Sequence, residues 1–423
     1  MSEVTTGVRT GGGAAAGEVV GAQAQTTLGT VPRPRSAAAA RALEAARRGV
    51  RWLQGSGIQS PSGGYHSWFD RTTRVHPFEY SEVTGYQVTL AAWLAARGDL
   101  AVREVALGDA ERAVQWLTTA VQPVPGAFRC LEASAAVGRF AAKADRLYTF
   151  DAGIILQGLV AHHAATGSPT AARAALDTGE WLLRHVDAAG VVQPWPATAE
   201  AGRWQDAPGD WSTRPGVHHA KIGIGLAALG ELTGEQRFTR AAVAVCEDAL
   251  RRQLPSGRFV TNPGAGTTNV HPHSYAAEAL WAVGTATGRA DLLDASERAT
   301  LWALAATDRD GLPPRRYGVD ASGAVQVVRH PRVDGVAQVL RLAALHSAHG
   351  TSAAQRLVAA LLAHQVSAPD EPRADGGFAF GAGTDGTPLP HANVWVTAFA
   401  VQALVLAAGD RRGAAVLDWR HLV

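Results

Sequence analysis

One unit recurs six times along this 423-residue chain. A turn and a polar or charged residue open an alanine-rich apolar stretch that ends in glycine. The openings are Glu82-Val83-Thr84-Gly85-Tyr86, Phe150-Asp151-Ala152-Gly153 and His218-His219-Ala220-Lys221, then His271-Pro272-His273-Ser274-Tyr275, Val333-Asp334-Gly335 and Asn393-Val394-Trp395-Val396-Thr397. The ends fall near Gly98, Gly167, Gly234, Gly288, Gly350 and Gly409. Successive openings lie roughly 53 to 69 residues apart. A period of that length marks one supersecondary unit that stacks on its neighbours. It also gathers unusual polar residues at one end of six equivalent elements, and so points to a site as well as a fold.

Between the openings lie six amphipathic stretches, at 37–54, 100–121, 170–187, 236–254, 290–307 and 351–366. The first spaces Ala39, Leu43, Ala46, Val50 and Leu53 as one helical face, with Arg41 and Arg48 opposite. The stretches that follow the openings carry little charge on any face, and a helix apolar nearly all round is buried. The pattern predicts six buried inner helices and six amphipathic outer ones, each outer stretch pairing with the inner stretch that follows it. The loops leading into inner helices (55–80, 188–217, 255–270, 308–332 and 367–392) are long and rich in Gly, Pro and Trp, whereas the returns, such as Thr166-Gly167-Ser168-Pro169, are short. Long loops in a compact domain are usually functional, so the site belongs on the decorated end.

These motifs, together with Tyr80-Ser81 before Glu82 and Val336-Ala337-Gln338, resemble a bacterial toroid family found beside polysaccharide-biosynthesis genes. The helix pattern resembles the all-α (α/α)6 toroid of six-hairpin glycosidases and the related toroid of terpenoid cyclases and protein prenyltransferases. The resemblance covers most of residues 40–410 and implies carbohydrate metabolism. Where that family carries Pro before the Glu of the first motif, this chain has Ser81.

Composition narrows the classes. Formal net charge is only +2 and no Lys/Arg block stands out, so neither nucleic acid nor an anionic membrane is an expected partner. The cysteines, Cys130 and Cys246, are far apart and in no metal spacing, which fits a reduced cytoplasm. Residues 1–36 read as a disordered tail without a signal peptide, and 37–423 as a single toroid domain.

Two carboxylates lead the candidate chemistry. Glu82 and Asp151 open neighbouring inner helices, and a carboxyl pair facing a sugar is what glycoside hydrolysis requires. Asp151 reads equally as a helix N-cap; Asp334, which repeats its position in the fifth unit, reads as a cap ahead of a catalytic group; Thr84 and Asn393 are also cap types. His273 and Tyr275 are the candidate catalytic pair for proton abstraction beside a carboxylate, as a uronate lyase or C5-epimerase would need. The substrate-facing candidates are Tyr80, Tyr86, His218, His219, His271, Trp211, Arg316, Asp334, Asn393 and Trp395. Aromatic rings suit the apolar face of a pyranose, and arginine forks suit a carboxylate or phosphate. The histidines sit at i,i+1 and i,i+2 spacings that do not make a zinc site, so neither metal nor cofactor is expected. Glycoside hydrolysis is the leading expectation and the lyase or epimerase the second. An isoprenoid cyclase is the third, weakened by the lack of Asp-x-Asp-Asp and an aromatic content of 7%. A non-catalytic glycan-binding toroid is the fourth.

Overall fold

The computed structural model describes residues 36–131, 144–195, 214–320, 322–409 and 417–423. Residues 1–35, which hold most of the expected tail, and Trp211 lie outside them. Ser36 belongs to the fold: its hydroxyl caps the first helix by accepting from the Ala39 amide at 3.1 Å.

The outer helices are α1 (Ala37–Gly55), α3 (Arg103–Thr119), α5 (Pro169–Leu183), α7 (Gln236–Arg251), α9 (Ala290–Ala306) and α11 (Ser352–Ala363). The inner helices are α2 (Ser81–Arg97), α4 (Thr149–Thr166), α6 (Ile222–Thr233), α8 (Val270–Thr287), α10 (Val333–Leu345) and α12 (Val394–Ala408). The apolar period explains each layer. Helix α7 buries Phe238, Ala242, Val245, Cys246 and Ala249 on one side and leaves its arginines outside, whereas α4 is buried continuously from Thr149 to His162. Inner helices pack in sequence, α2 on α4, α4 on α6, α6 on α8, α8 on α10 and α10 on α12, and α12 packs on α2 to close the ring.

The hairpin pairing differs from the expectation. Each inner helix packs mainly on the outer helix that follows it, and α1 packs on α12. The short returns decide this. Gly98, Gly167, Gly234 and Gly288 cap inner helices in the left-handed conformation, with φ between 69° and 74°, and turn the chain back at once. The fifth and sixth units end otherwise: α10 stops at Leu345, before Gly350, and Gly409 is extended. The glycines inside the opening motifs serve a separate purpose. A Cβ at Gly153 would stand 2.5 Å from Cβ of Ile222, and one at Gly85 3.0 Å from Cα of Ile155, so these positions let neighbouring inner helices approach closely.

The long loops contain strands that the helical reading did not foresee. One antiparallel sheet joins β1 (Trp68–Asp70), β6 (His391–Asn393) and β5 (Phe378–Ala379), tying the first lead-in loop to the last. The other joins β2 (Thr268–Asn269), β3 (Arg316–Val319) and β4 (Val325–Val328). At the end of the ring where the inner helices finish, residues 417–423 insert between them. Leu422 and Val423 are buried there. The Gln157 amide donates to the carbonyls of Arg420 (2.9 Å) and Leu422 (2.8 Å), and that of Gln402 to His421 (2.8 Å). Among the described residues no helix is long and apolar enough to cross a membrane.

Candidate functional site

The N-terminal ends of the inner helices surround a cavity of about 180 Å³. Tyr80, Glu82 and Val83 enter from the start of α2, and Tyr148, Phe150 and Asp151 from the start of α4. His271 and Tyr275 come from α8, Arg332 from the residue before α10, and Trp395 from α12. Four of the six repeat openings, with the residue before a fifth, therefore meet in one place. The volume lies below the ~300–1,000 Å³ typical of pockets for drug-sized ligands and suits one small ring.

Glu82 and Asp151 stand in the first turns of their helices, where the helix dipole favours negative charge. Neither is the N-cap, a position held by Tyr80 for α2 and Tyr148 for α4, neither of which caps with its side chain. Asp151 thus reaches the cavity wall from a position that the N-cap reading does not account for. The Tyr80 hydroxyl donates to Glu82, and burial, with the charges of Asp151 and Glu82, holds that phenol well above its ordinary pKa. Tyr148 accepts from Arg146 Nη1 at 3.1 Å and is also pushed up by burial.

Tyr275, which lines the cavity, accepts at its hydroxyl from that of Tyr86 at 2.9 Å. Burial raises both phenols well above 10, and Glu82 adds to the rise at each. Both therefore stay protonated at neutral pH, and Tyr275 presents a phenol rather than a phenolate. One turn before Tyr275 on α8, His271 lies with its ring centroid 4.4 Å from that of Tyr275. Its Nδ1 is 2.8 Å from Gln338 Oε1 and 3.4 Å from Asp334 Oδ2. Burial, with Arg332 nearby, lowers His271 to about 4 against the pull of Asp334, so the imidazole is neutral at pH 7.

Asp334 serves as an anchor. Arg332 donates to it through Nε (2.9 and 3.1 Å) and Nη2 (3.0 Å), Trp395 through Nε1 (3.2 Å) and Gly335 through its amide (2.7 Å). Burial would raise its carboxyl, but Arg332 and then His271 hold it well below the ordinary range. The arginine also lies 5.6 Å from the centroid of the Phe380 ring.

Several candidates stand elsewhere. His273 is turned away from the cavity towards α9: its Nδ1 accepts from the Phe259 amide (3.2 Å) and its Nε2 meets the Ala299 carbonyl (3.1 Å). Both nitrogens are consumed inside the fold, and the ring is a packing element. His218 and His219 lie in a 3-10 turn, Val217–Lys221, that precedes α6, with their rings 5.7 and 6.4 Å from that of Phe150. They buttress Phe150 and are outside the cavity lining. Asn393 caps α12 by accepting from the Val396 amide at 3.1 Å. Arg316 is exposed on β3 and borders a different groove with Asn262 and Gln326. Tyr86 supports the site through Tyr275 and is not itself in the lining. Among the described residues no group of three or more His, Cys, Asp or Glu side chains is placed to hold a metal ion.

Sequence reasoning gave no role to a charged cluster beneath the cavity. Glu278 on α8 accepts from Lys221 Nζ at 2.8 Å and from Arg341 through Nε (3.2 Å) and Nη2, and all three side chains are 0% exposed. Gln338 Nε2 stands 3.5 Å from the same carboxylate, and Arg341 Nη1 donates to Gln402 at 3.2 Å. Burial lowers Lys221 to about 8 against the pull of Glu278. Burial works to raise Glu278, but Arg341 and Lys221 outweigh it and hold the carboxyl low. The signal was present: Glu278 and Arg341 are charged residues inside otherwise apolar inner helices and Lys221 immediately precedes one, and such groups are rarely buried unless paired.

No protein-family model and no curated protein matches the chain by sequence. Solved structures do match it by shape. A sugar epimerase from a ruminal bacterium superposes with a TM-score of 0.65 at 10% identity, over 85% of this chain and 98% of that one. An unsaturated glucuronyl hydrolase from Bacillus sp. GL1 gives 0.58 at 18%, over 87% and 95%. A type II terpene cyclase from Scytonema gives 0.54 at 17%, over 88% and 98%. At these identities the likeness speaks to architecture, and it establishes that this chain has the (α/α)6 toroid fold shared by six-hairpin glycosidase-like enzymes and terpene cyclases.

Proposed function

We propose that this chain is a carbohydrate-active enzyme that cleaves a glycosidic bond in the cavity at the helix N-termini. The observation that carries the reading is the arrival of Glu82 and Asp151, from adjacent inner helices, in one small aromatic-walled cavity. One carboxyl group protonates the departing oxygen and the other activates water or attacks the anomeric carbon. The Tyr80 hydroxyl, bonded to Glu82, sets a phenol beside that carboxylate in the cavity wall. Phe150, Tyr148 and Trp395 offer ring faces to the sugar. The single-ring volume favours a terminal residue of a glycan or a small glycoside as substrate. On this reading residues 37–423 form one domain, working in the cytoplasm.

A second reading is favoured by one specific observation: a neutral imidazole, His271, and a protonated phenol, Tyr275, share one wall of the cavity. That pair suits abstraction of a carbon-bound proton and its return, as in an epimerase or uronate lyase, with His271 in the place that the sequence gave to His273.

The test is a mass-resolved screen of the purified protein with neutral and uronate-containing oligosaccharides in deuterated water. Hydrolysis predicts cleavage without new ultraviolet absorbance, with Glu82→Gln and Asp151→Asn each losing roughly 10²–10⁴-fold in kcat. Gain of one deuterium without cleavage, or cleavage with the absorbance of an unsaturated uronate, would refute hydrolysis and move the chemistry to His271. Binding unchanged in both carboxylate variants, with no turnover by wild type, would make the protein a glycan-binding toroid.

A further inference from the structure

Tyr86 carries a buried hydroxyl to which bond cleavage as described above gives no work. It is 1% exposed and stands behind the cavity lining. A phenylalanine would fill nearly the same space without the cost of desolvating a hydroxyl. The hydrogen bond to Tyr275 reaches across the ring, because α2 and α8 stand opposite each other in the closed cycle of six inner helices. Phe399 on α12 meets both phenol rings edge-on, at centroid distances of 5.1 Å for Tyr86 and 6.5 Å for Tyr275. Phe150 and His271 lie against Tyr275 at 5.1 and 4.4 Å. Packed on these sides, the Tyr275 ring gives its oxygen a fixed place.

The direction of the bond decides where the hydrogens go. A phenol donates one hydrogen and accepts through its oxygen. Tyr86 spends its hydrogen on Tyr275. The Tyr275 hydrogen cannot point back along that line, where it would meet the hydrogen of Tyr86, so it lies on another side of the oxygen. Tyr275 makes no second hydrogen bond to another described residue. Accepting from Tyr86 also polarises the Tyr275 O–H bond and strengthens it as a donor. Burial first, and then the charge of Glu82, raise this phenol, so a carboxylate acts on the same corner of the cavity. A sugar hydroxyl suits both groups, because it accepts from a phenol and gives its own hydrogen to a carboxylate. A ligand carboxylate would meet Glu82 as a like charge.

We infer that Tyr86 is a positioning residue that turns the Tyr275 hydroxyl hydrogen into the cavity, where Tyr275 donates it to a hydroxyl of a neutral sugar. The inference rests on reading this cavity as the reaction site, and it adds the residue that selects the substrate. Under hydrolysis Tyr275 binds the sugar and transfers no proton, since a phenol held this firmly protonated is a hydrogen-bond donor and a poor acid.

Tyrosine labelled with ¹³C at Cζ reads the hydroxyls directly. In equal parts of H2O and D2O a slowly exchanging hydroxyl splits its Cζ signal in two, and a rapidly exchanging one gives a single averaged signal. Tyr86→Phe and Tyr275→Phe assign the two signals. The expected spectrum has Tyr86 split, its hydrogen held in the core by Tyr275, and Tyr275 single, its hydrogen open to the cavity. A split Tyr275 signal or a single Tyr86 signal overturns the inference. If Tyr86→Phe does not fold, the wild-type spectrum with Tyr275→Phe decides alone. Kinetics then use the glycoside that the oligosaccharide screen identifies, with the monodeoxy analogues of its terminal sugar. Tyr275→Phe should lower kcat/KM about tenfold on the parent glycoside. Tyr86→Phe should lower it less, and have no further effect in a Tyr275→Phe background. For one deoxy analogue neither substitution should cost anything more, because the hydroxyl they serve is gone. Equal losses on the parent and on every deoxy analogue would mean that the phenols only pack, and would overturn the inference. The expected spectrum in a protein that turns over no glycan would leave the donor standing and refute only the proposed function.

Discussion

Glu278→Gln isolates the charged centre of the toroid. The substitution keeps the shape of the side chain and removes one negative charge. It leaves Lys221 and Arg341 in contact with an amide that can accept through one oxygen only, where the carboxylate received hydrogen bonds on both. No water replaces the lost partner, because all three side chains are fully buried. Removing one member of a buried ion pair costs about 3–5 kcal/mol, most of it from stranding the other charge. Lys221 can shed part of the cost by releasing its proton, since burial already holds it near 8; Arg341 cannot. The loss should therefore fall towards the lower end, at about 3 kcal/mol. Equilibrium urea unfolding followed by tryptophan fluorescence measures it as a shift of midpoint at unchanged slope. Removing the exposed Arg237, which pairs with Glu180 and Glu235, is the control and should leave the midpoint almost unmoved. A Glu278→Gln loss below about 1 kcal/mol would refute the argument, because it would mean that solvent or rearrangement reaches the two cations.

Three further outcomes follow from the same geometry. Lys221 binds its proton less tightly in the folded protein (about 8) than in the unfolded chain (near its ordinary 10.5), so between these values the unfolded chain holds more protons. Stability should therefore rise from pH 8 to 10 relative to Lys221→Met, and parallel curves for the two proteins would contradict the assignment. Gly153→Ala forces a methyl to 2.5 Å from Ile222 and should cost about 1–3 kcal/mol in the same unfolding assay, whereas Gly108→Ala, which meets open space, should be neutral or stabilising. His271 should remain neutral on acidification until about pH 4, read from its ring ¹³C shifts, and titration near 6.5 would mean that the cavity is wetter and less buried than its packing implies.

The fold was legible because its signals are periodic. Apolar faces, glycine returns and the sixfold spacing each repeat, and repetition separates them from chance. The site was legible only where it shared that periodicity. Glu82, Asp151, His271 and Tyr275 open their helices, and all four line the cavity. What the repeat does not encode is the rotation of a residue about its helix axis. His271 and His273 are two residues apart, about 200° around an α-helix, so one faces the ring centre and the other faces α9. Asn393 and Asp334 both belong to repeat openings, yet Asn393 stands just before its helix and caps it, while Asp334, second in α10, is clamped by Arg332 and Trp395. The small sheets escaped notice because strands of two to four residues carry too few positions for a period of two to register.

The cluster around Glu278 shows a different limit and has a mechanistic consequence. A single charge in an apolar helix is ambiguous in sequence, since its partners here lie 57 and 63 residues away. Once assembled, these charges divide the interior into two layers. The upper layer, at the helix N-termini, gathers Glu82 and Asp151 where the helix dipoles favour them, open to the cavity. The lower layer seals Lys221, Glu278 and Arg341 between that cavity and the inserted residues 417–423, with Lys221 Nζ donating to the Val423 carbonyl at 3.3 Å. His271 and Gln338 connect the layers by the hydrogen bonds described above. A substitution in the lower layer should thus be felt in the upper one through His271, while Glu82 and Asp151, held from their own helices, keep their positions. That difference separates the two proposed chemistries: Gln338→Leu should cripple a reaction that uses His271 as base and only slow one that runs on the carboxylate pair.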